Sequence, residues 1–364
     1  MDSPYARELH TAIAAVQHAS SLTRLVLAAA HAANAAGAVD SVSKTDHSPV
    51  TVADFAAQAL LTAAIRAAFP DDRFVGEETA DELRANPALL ASVWDYIQQA
   101  ARLAPADSPL VLPDSPEHAC ELIDLPGSGV PGPGRIWVFD PVDGTKTFIR
   151  GEIYAVNACL MIDGAQTVAV VGLPNLAPNA NPPLRNDTVD PNPQGGSILY
   201  AINGHGSFIR PLAGAPDLAG TLIPQHDPRP TELRLVTSLD ATSAAPGVHE
   251  KIAARLGLTY PGSDLLGWVA RWASLALGHA NVTFWVYKRR ERLGKIWDHA
   301  GAMLLFQEAG GKVTDLDGKA PDLVAGRQMV ANYGWVAAPA GIHGDVLKTV
   351  REAMVEDGLG HLLL

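Results

Sequence analysis

The stretch Arg135-Ile136-Trp137-Val138-Phe139-Asp140-Pro141-Val142-Asp143-Gly144-Thr145 decides how the rest of this chain is read. An apolar strand runs straight into two carboxylates three positions apart, followed by a glycine and a hydroxyl. Pro141 fixes φ and has no N–H to donate, and Gly144 permits a tight turn, so the chain must bend where the strand ends. The bend would aim Asp140, the Val142 carbonyl and Asp143 at one point. Hard oxygen donors gathered in this way suit Mg²⁺ rather than zinc. The alternative is an ordinary strand-end turn whose aspartates only cap the backbone.

Further acids are available to complete a metal centre. Phe74-Val75-Gly76-Glu77-Glu78 is a short apolar approach to paired glutamates, and Ile296-Trp297-Asp298-His299-Ala300-Gly301 opens a helical stretch that runs to Gly310-Gly311. Asp54 ends the run Ser48-Pro49-Val50-Thr51-Val52-Ala53-Asp54. Each also has a plain reading: Thr51 and Asp54 as a capping box, Asp298 as a helix N-terminal acid, Glu77-Glu78 as a solvated loop pair. If all serve, Glu77, Asp140, Asp143, Asp298 and the Val142 carbonyl suffice for paired Mg²⁺ ions roughly 4 Å apart. Such ions neutralise phosphate oxygens, lower the pKa of a water and stabilise a leaving alkoxide.

The chain has 364 residues, 48% of them hydrophobic, enough for a large core in one large domain or two subdomains. We divide it into residues 1–230, carrying Asp54, Glu77 and the Asp140–Thr145 motif, and residues 231–364, carrying Asp298. The net charge of −12 argues against nucleic-acid polymers and anionic membranes as partners, and would repel a small phosphorylated substrate unless cations intervene. Only Cys120 and Cys159 are present, so no disulfide framework is implied, and Cys159 in its apolar run reads as a buried structural residue. No bilayer-spanning segment and no signal peptide is apparent, so a cytoplasmic, reducing setting is expected. The twelve histidines show no zinc spacing, and His299 reads as a helix N-terminal residue or a substrate-side neighbour.

Apolar spacing predicts an N-terminal helix through Leu9 to Val26, a polar loop around 40–49, and a second helix that ends at Pro70. A helix is expected over 83–102, interrupted at Pro87, and residues 105–133, rich in Pro, Gly and Ser, read as a surface excursion. Strands are expected at 135–140, 154–162, 167–172, 197–202 and 206–211, the last two joined by an Asn203-Gly204 turn, with a surface loop over 174–196. The remainder reads as strands at 233–237, 281–287, 312–315 and 333–337. Helices are expected at 249–256, 268–277, from Asp298 onward, and at 343–355. The fold class is α/β with two sheets.

Taken in order, the four acidic segments resemble the inositol monophosphatase superfamily of Mg²⁺-dependent, lithium-sensitive phosphatases. Lys146 after Asp-Gly-Thr, Phe148-x-x-Gly151-Glu152 and Lys295-Ile296-Trp297-Asp298-His299-Ala300 look like its 3′(2′),5′-bisphosphate nucleotidase branch. The resemblance implies a layered α/β/α/β/α sandwich, two or three Mg²⁺ ions, and a water activated by Asp54 together with Thr145. It also implies phosphate held by the Gly144 and Thr145 amides, a metal-water contact from Glu78, and Asp298 facing the substrate. Ser263 and Arg271 match the branch's nucleotide contacts. The sequence departs from the branch at Leu239-Asp240-Ala241-Thr242-Ser243, which lacks lysine and histidine, and at Trp285, where a basic residue is usual. Trp285 either stacks on a base or packs in the core, and the basic run Lys288–Arg292 either attracts substrate or is a solvated loop. Three functions follow: removal of the 3′-phosphate from adenosine 3′,5′-bisphosphate or its sulfated relative, hydrolysis of an inositol or sugar phosphate, or non-catalytic phosphate binding.

Overall fold

The computed structural model describes residues 4–35, 49–103, 111–239, 243–245 and 247–364. The polar loop before Pro49 and the centre of the 239–243 stretch lie outside them. Helices α1 (Ala6–Ala35) and α2 (Pro49–Ala68) form the first layer. By length and composition, Ala6–Ala33 could cross a membrane. In this fold, though, Leu9, Ile13, Val16 and Leu22 are buried, and α1 packs on α2 and on the first sheet. Thr51 and Asp54 both lie within α2, which begins at Pro49.

The second layer is a seven-stranded sheet whose spatial order follows the chain: β1 (Arg73–Gly76), β2 (Arg135–Asp143), β3 (Ala155–Ile162), β4 (Ala165–Leu173), β5 (Ser197–Ile202), β6 (Gly206–Pro211) and β7 (Thr221–Leu222). The first pair is parallel and the others antiparallel. Between β1 and β2 the chain makes α3 (Asp81–Ala85), α4 (Pro87–Leu103) and α5 (Pro116–Gly127). Helix α5 corrects the expected surface excursion over 105–133. Ser115 caps it by accepting from the His118 amide at 3.1 Å, Pro116 occupies its first turn, and Ala119, Cys120, Leu122 and Ile123 are buried. The Asn203-Gly204 hairpin is held from outside, with the Gly204 and Gly206 amides each donating to the Glu308 carboxylate at 2.8 Å.

After the five-residue helix α6 (Thr145–Ile149), α7 (Val248–Arg255), α8 (Trp268–Ala276), α9 (Ile296–Glu308) and α10 (His343–Glu356) alternate with short strands. Strands β8 (Val236–Thr237) and β9 (Ser263–Asp264) pair in parallel, and β10 (Thr283–Trp285), β12 (Trp335–Pro339) and β11 (Gly311–Thr314) pair antiparallel in that order. A bridge from Leu235 to Val282 joins the two groups. Helices α8 and α9 fill the space between the first sheet and this second one, while α7 and α10 cover its far side. The result is the five-layered α/β/α/β/α sandwich. One apolar cluster runs through the middle layer, from Val75, Val138 and Leu199 to Trp272, Phe306 and Val336. With helices against both faces, the β2 residues Ile136–Phe139 have no exposed surface, which is why that strand reads as an unbroken apolar run.

Candidate metal centre and the cavity beside it

The turn at the end of β2 is a bulge. Pairing with β3 passes from Asp140–Asn157 to Asp143–Ala155, leaving Pro141 and Val142 without registered partners. Pro141 cannot donate to a ladder, and a bulge is where a sheet tolerates it. Gly144 follows at φ 92°, where a side chain would be strained, and a Cβ there would lie 2.5 Å from the Thr147 hydroxyl. This backbone brings Asp140 and Asp143, three residues apart, to one side.

Asp298 completes the group from the first turn of α9, where the helix dipole favours an acid. Asp140, Asp143 and Asp298 each offer an oxygen, and the three lie within 4.8 Å of one another. Asp140 is 1% exposed, and its Oδ1 is buried with no hydrogen-bond partner. Among the described residues, no ion pair neutralises any of the three. Burial, followed by the charges of Glu77, Asp143, Asp298 and Asp54, holds the Asp140 carboxyl well above the usual range. Asp298 is likewise raised by burial, then by Asp143 and Glu77, with Arg292 and Lys295 opposing. Asp143 is raised only to about 6, because burial is offset by the amides of Val269, Ala270 and Trp268. Asp140 and Asp143 are buried and Asp298 half-buried, and an acidic cluster of this kind with an orphaned oxygen is costly until a cation fills it. Hard oxygen donors without nitrogen or sulfur fit Mg²⁺.

The other acids approach from the parallel strand and from α2. Glu77 follows β1 directly and stands outside the 4.8 Å group, though burial and the charge of Asp143 raise its carboxyl. Glu78 is raised to about 7 by burial, then by Glu77 and Glu82. Asp54 is buried on α2, its carboxyl raised by burial and then by Glu78 and Glu77. Gln58, one turn further along α2, ties the loop down by donating to the Glu78 and Ile123 carbonyls at 2.8 Å each and accepting from the Glu78 amide at 3.1 Å. Thr145 opens α6 two residues after Asp143 and lines the cavity beside it.

Next to the cluster is a cavity of about 280 Å³, lined by Asp143, Gly144, Thr145, Lys146, Trp268 and Arg292 among others. Its far wall is α8, which the cluster itself anchors: the Trp268 and Val269 amides donate to the Asp143 carboxylate at 3.1 and 2.9 Å. Gly267 makes that approach possible, since a Cβ there would sit 2.3 Å from Asp143 Oδ2. Asp143 therefore caps a helix that begins 125 residues further along the chain.

The residues expected on the substrate side divide. Arg271 borders the cavity but is 1% exposed; its guanidinium donates to the Leu265 and Leu266 carbonyls at 2.7 and 2.8 Å. It lies between Trp268 and Trp285, 4.3 and 4.4 Å from the ring centroids, with Nη1 unpartnered. Trp285 is 1% exposed yet lines the same cavity, whereas Trp272 and His299 are fully buried, Trp272 Nε1 donating to His299 Nδ1 at 3.1 Å. Ser263 faces elsewhere: its hydroxyl accepts from the Leu184 amide at 3.0 Å, and it borders a separate cavity of about 670 Å³. Of the basic run, Arg290 pairs with Asp317 at 2.5 Å, while Arg292 lines the cavity. Lys146 and the half-exposed Trp268 are cavity residues that sequence reasoning did not place there. Lys146 had a signal, following directly on the Asp-Gly-Thr motif.

This arrangement has known counterparts. The model of the inositol monophosphatase family matches residues 8–354. The chain belongs to that family. A 3′(2′),5′-bisphosphate nucleotidase of Emericella nidulans is 37% identical over 357 residues, covering 96% of this chain and 99% of the relative. One from Schizosaccharomyces pombe is 35% identical, covering 96% of each. Among solved structures, inositol monophosphatase II of Staphylococcus aureus superposes with a TM-score of 0.55 at 14% identity, covering 96% of this chain and 95% of that one. An Anabaena inositol monophosphatase gives 0.55 at 17% identity, covering 96% and 97%. At those identities the structural likeness speaks for the shared fold, and it agrees with the layered sandwich of this family member.

Proposed function

We propose that this family member is a Mg²⁺-dependent phosphomonoesterase that removes the 3′-phosphate of adenosine 3′,5′-bisphosphate or its sulfated relative. The observation that carries the reading is a juxtaposition: three acids within 4.8 Å, one with an orphaned buried oxygen, border a cavity whose lining includes Lys146 and Arg292. Glu77, Asp140, Asp143, Asp298 and the Val142 carbonyl would hold two or three ions, with Glu78 contacting their waters. Bound Mg²⁺ neutralises phosphate oxygens, lowers the pKa of a water and stabilises the leaving oxygen.

The chain's own groups supply the rest. Asp54, whose carboxyl is raised by burial and two neighbouring glutamates, suits the task of taking up a proton, working with Thr145 on the attacking water. Gly144 and Thr145, beside Asp143 in the cavity lining, receive the scissile phosphate. Exposed Lys146 and Arg292 attract the second phosphate in a protein of net charge −12. Trp268 offers a partly open ring beside them, suited to stacking on a base. The curated relatives at 37% and 35% identity support the choice of a bisphosphonucleotide over an inositol phosphate.

The test is phosphate release across adenosine 3′,5′-bisphosphate, adenosine 2′,5′-bisphosphate and inositol 1-phosphate, with Mg²⁺ and with excess EDTA. We expect the 3′,5′-bisphosphate to have the highest kcat/KM and EDTA to abolish turnover. Full activity in EDTA refutes the metal mechanism; a higher kcat/KM for inositol 1-phosphate refutes the nucleotide assignment alone.

A further inference from the structure

Glu77 and Asp298 come from distant parts of the chain, and among the described residues no hydrogen bond or ion pair joins them directly. β1 ends at Gly76 as an edge strand paired only with β2, so the loop that carries Glu77 has no sheet neighbour on its outer side. Asp298 sits in the first turn of α9, where intrahelical bonding is least complete. Both segments meet one side chain. Arg327, in the segment between β11 and β12, donates through Nη2 to the Gly76 carbonyl at 2.5 Å, and through Nη1 to the Pro126 and Gly129 carbonyls at 3.0 and 2.9 Å. Its guanidinium lies 4.9 Å from the ring centroid of Trp297, the neighbour of Asp298. Its backbone joins the same place: the Arg327 carbonyl accepts from the Ile296 amide at 3.0 Å, and Gln328 bridges to Lys295.

We infer that Arg327 is a positioning residue for the metal centre, setting the distance between the Glu77 loop and the Asp298 helix turn. The inference rests on the metal-dependent reading above. Three carbonyls in one fork, with a ring face beneath, is a geometry that guanidinium meets and ammonium does not. Among the described residues Arg327 forms no direct ion pair, and its charge acts on Glu77 through space: Glu77 opposes the effect of burial on the guanidinium, and Arg327 opposes that of burial on Glu77. Without Arg327, the Glu77 loop keeps its Gln58 bonds but loses its link to α9, so the ligand set is no longer held at the spacing an ion requires. Mg²⁺ demands near-ideal octahedral geometry and is sensitive to such loosening.

The experiment titrates Mg²⁺ into metal-free parent, Arg327→Ala and Arg327→Lys. Binding is followed by calorimetry and by the rise in thermal midpoint, with phosphate release measured in parallel. We expect both variants to fold, as judged by circular dichroism, and to need at least tenfold more Mg²⁺ for half-saturation. Activity should recover to within about fivefold of the parent at saturating Mg²⁺, and lysine should restore little. Half-saturation within twofold of the parent in a folded variant overturns the inference, as does failure of both variants to fold, which would make Arg327 a stability residue. A parent that neither binds Mg²⁺ nor loses activity in EDTA overturns the metal-dependent reading instead.

Discussion

Replacing Asp140 with asparagine should make the metal-free protein more stable while removing its activity. Asp140 is 1% exposed with Oδ1 unpartnered, so at neutral pH without a cation the fold must keep a buried charge or hold a proton the unfolded chain would release. Asp143 gives the scale: it is raised from 3.8 to about 6, and two pKa units correspond to about 3 kcal/mol. Among the described residues Asp140 has no amide donors like the Trp268 and Val269 N–H groups that restrain Asp143, so nothing of that kind offsets the burial that raises its carboxyl. Below pH 3.8, the ordinary value, folded and unfolded states both carry the proton and nothing is lost. Above it the unfolded chain deprotonates first, so stability falls as pH rises towards the folded-state value. For 364 residues, about 3 kcal/mol raises the midpoint by roughly 4 °C. Differential scanning calorimetry of parent and Asp140→Asn in EDTA should show a higher midpoint for the variant at pH 7.5 and a smaller difference near pH 4.5. With Mg²⁺ the difference should shrink, since a ligand at a hundred times its Kd adds about 2.7 kcal/mol to the parent alone. Phosphate release should drop by at least two orders of magnitude. If Asp140→Asn melts below the parent in EDTA at pH 7.5, the carboxylate is already satisfied by the protein and the electrostatic case for a cation fails.

Two more outcomes are expected. Millimolar Li⁺ should inhibit turnover while equal Na⁺ does so much less, measured as phosphate release at fixed Mg²⁺; equal effects would indicate ionic-strength screening of the substrate. Trp268→Ala and Arg292→Ala should each raise KM for adenosine 3′,5′-bisphosphate by about tenfold with kcat little changed, because both remove binding shared by ground and transition states. An unchanged KM in both would place the second phosphate and the base elsewhere.

The acids were legible because each sits on a local signal: a strand running into Asp-Pro-x-Asp-Gly, a strand ending in Gly-Glu-Glu, a helix starting at Lys-Ile-Trp-Asp. Helix α5 also had a local signal in Ser115-Pro116, but Pro, Gly and Ser on both sides outweighed it, and its stability comes from packing on α2 and β1 that composition does not reveal. The recognition side was less legible because it depends on which face a side chain turns to. Ser263 and Trp268 are five residues apart, yet they border different cavities, since the chain passes from β9 through Gly267 into α8 between them. Arg271 matches a nucleotide contact through the resemblance; in the structure it borders the cavity while its Nε and Nη2 donate to the Leu265 and Leu266 carbonyls. Those bonds and the Asp143 cap hold the same helix start. Asp143 thus fixes α8, α8 places Trp268 and Arg271 at the cavity, and the acids and this cavity wall form one unit. A change at Gly267 should therefore disturb both: Gly267→Ala puts a Cβ against Asp143 Oδ2, and we expect weaker Mg²⁺ binding together with a higher KM for the bisphosphate, whereas a loop independent of the metal centre would show only the second.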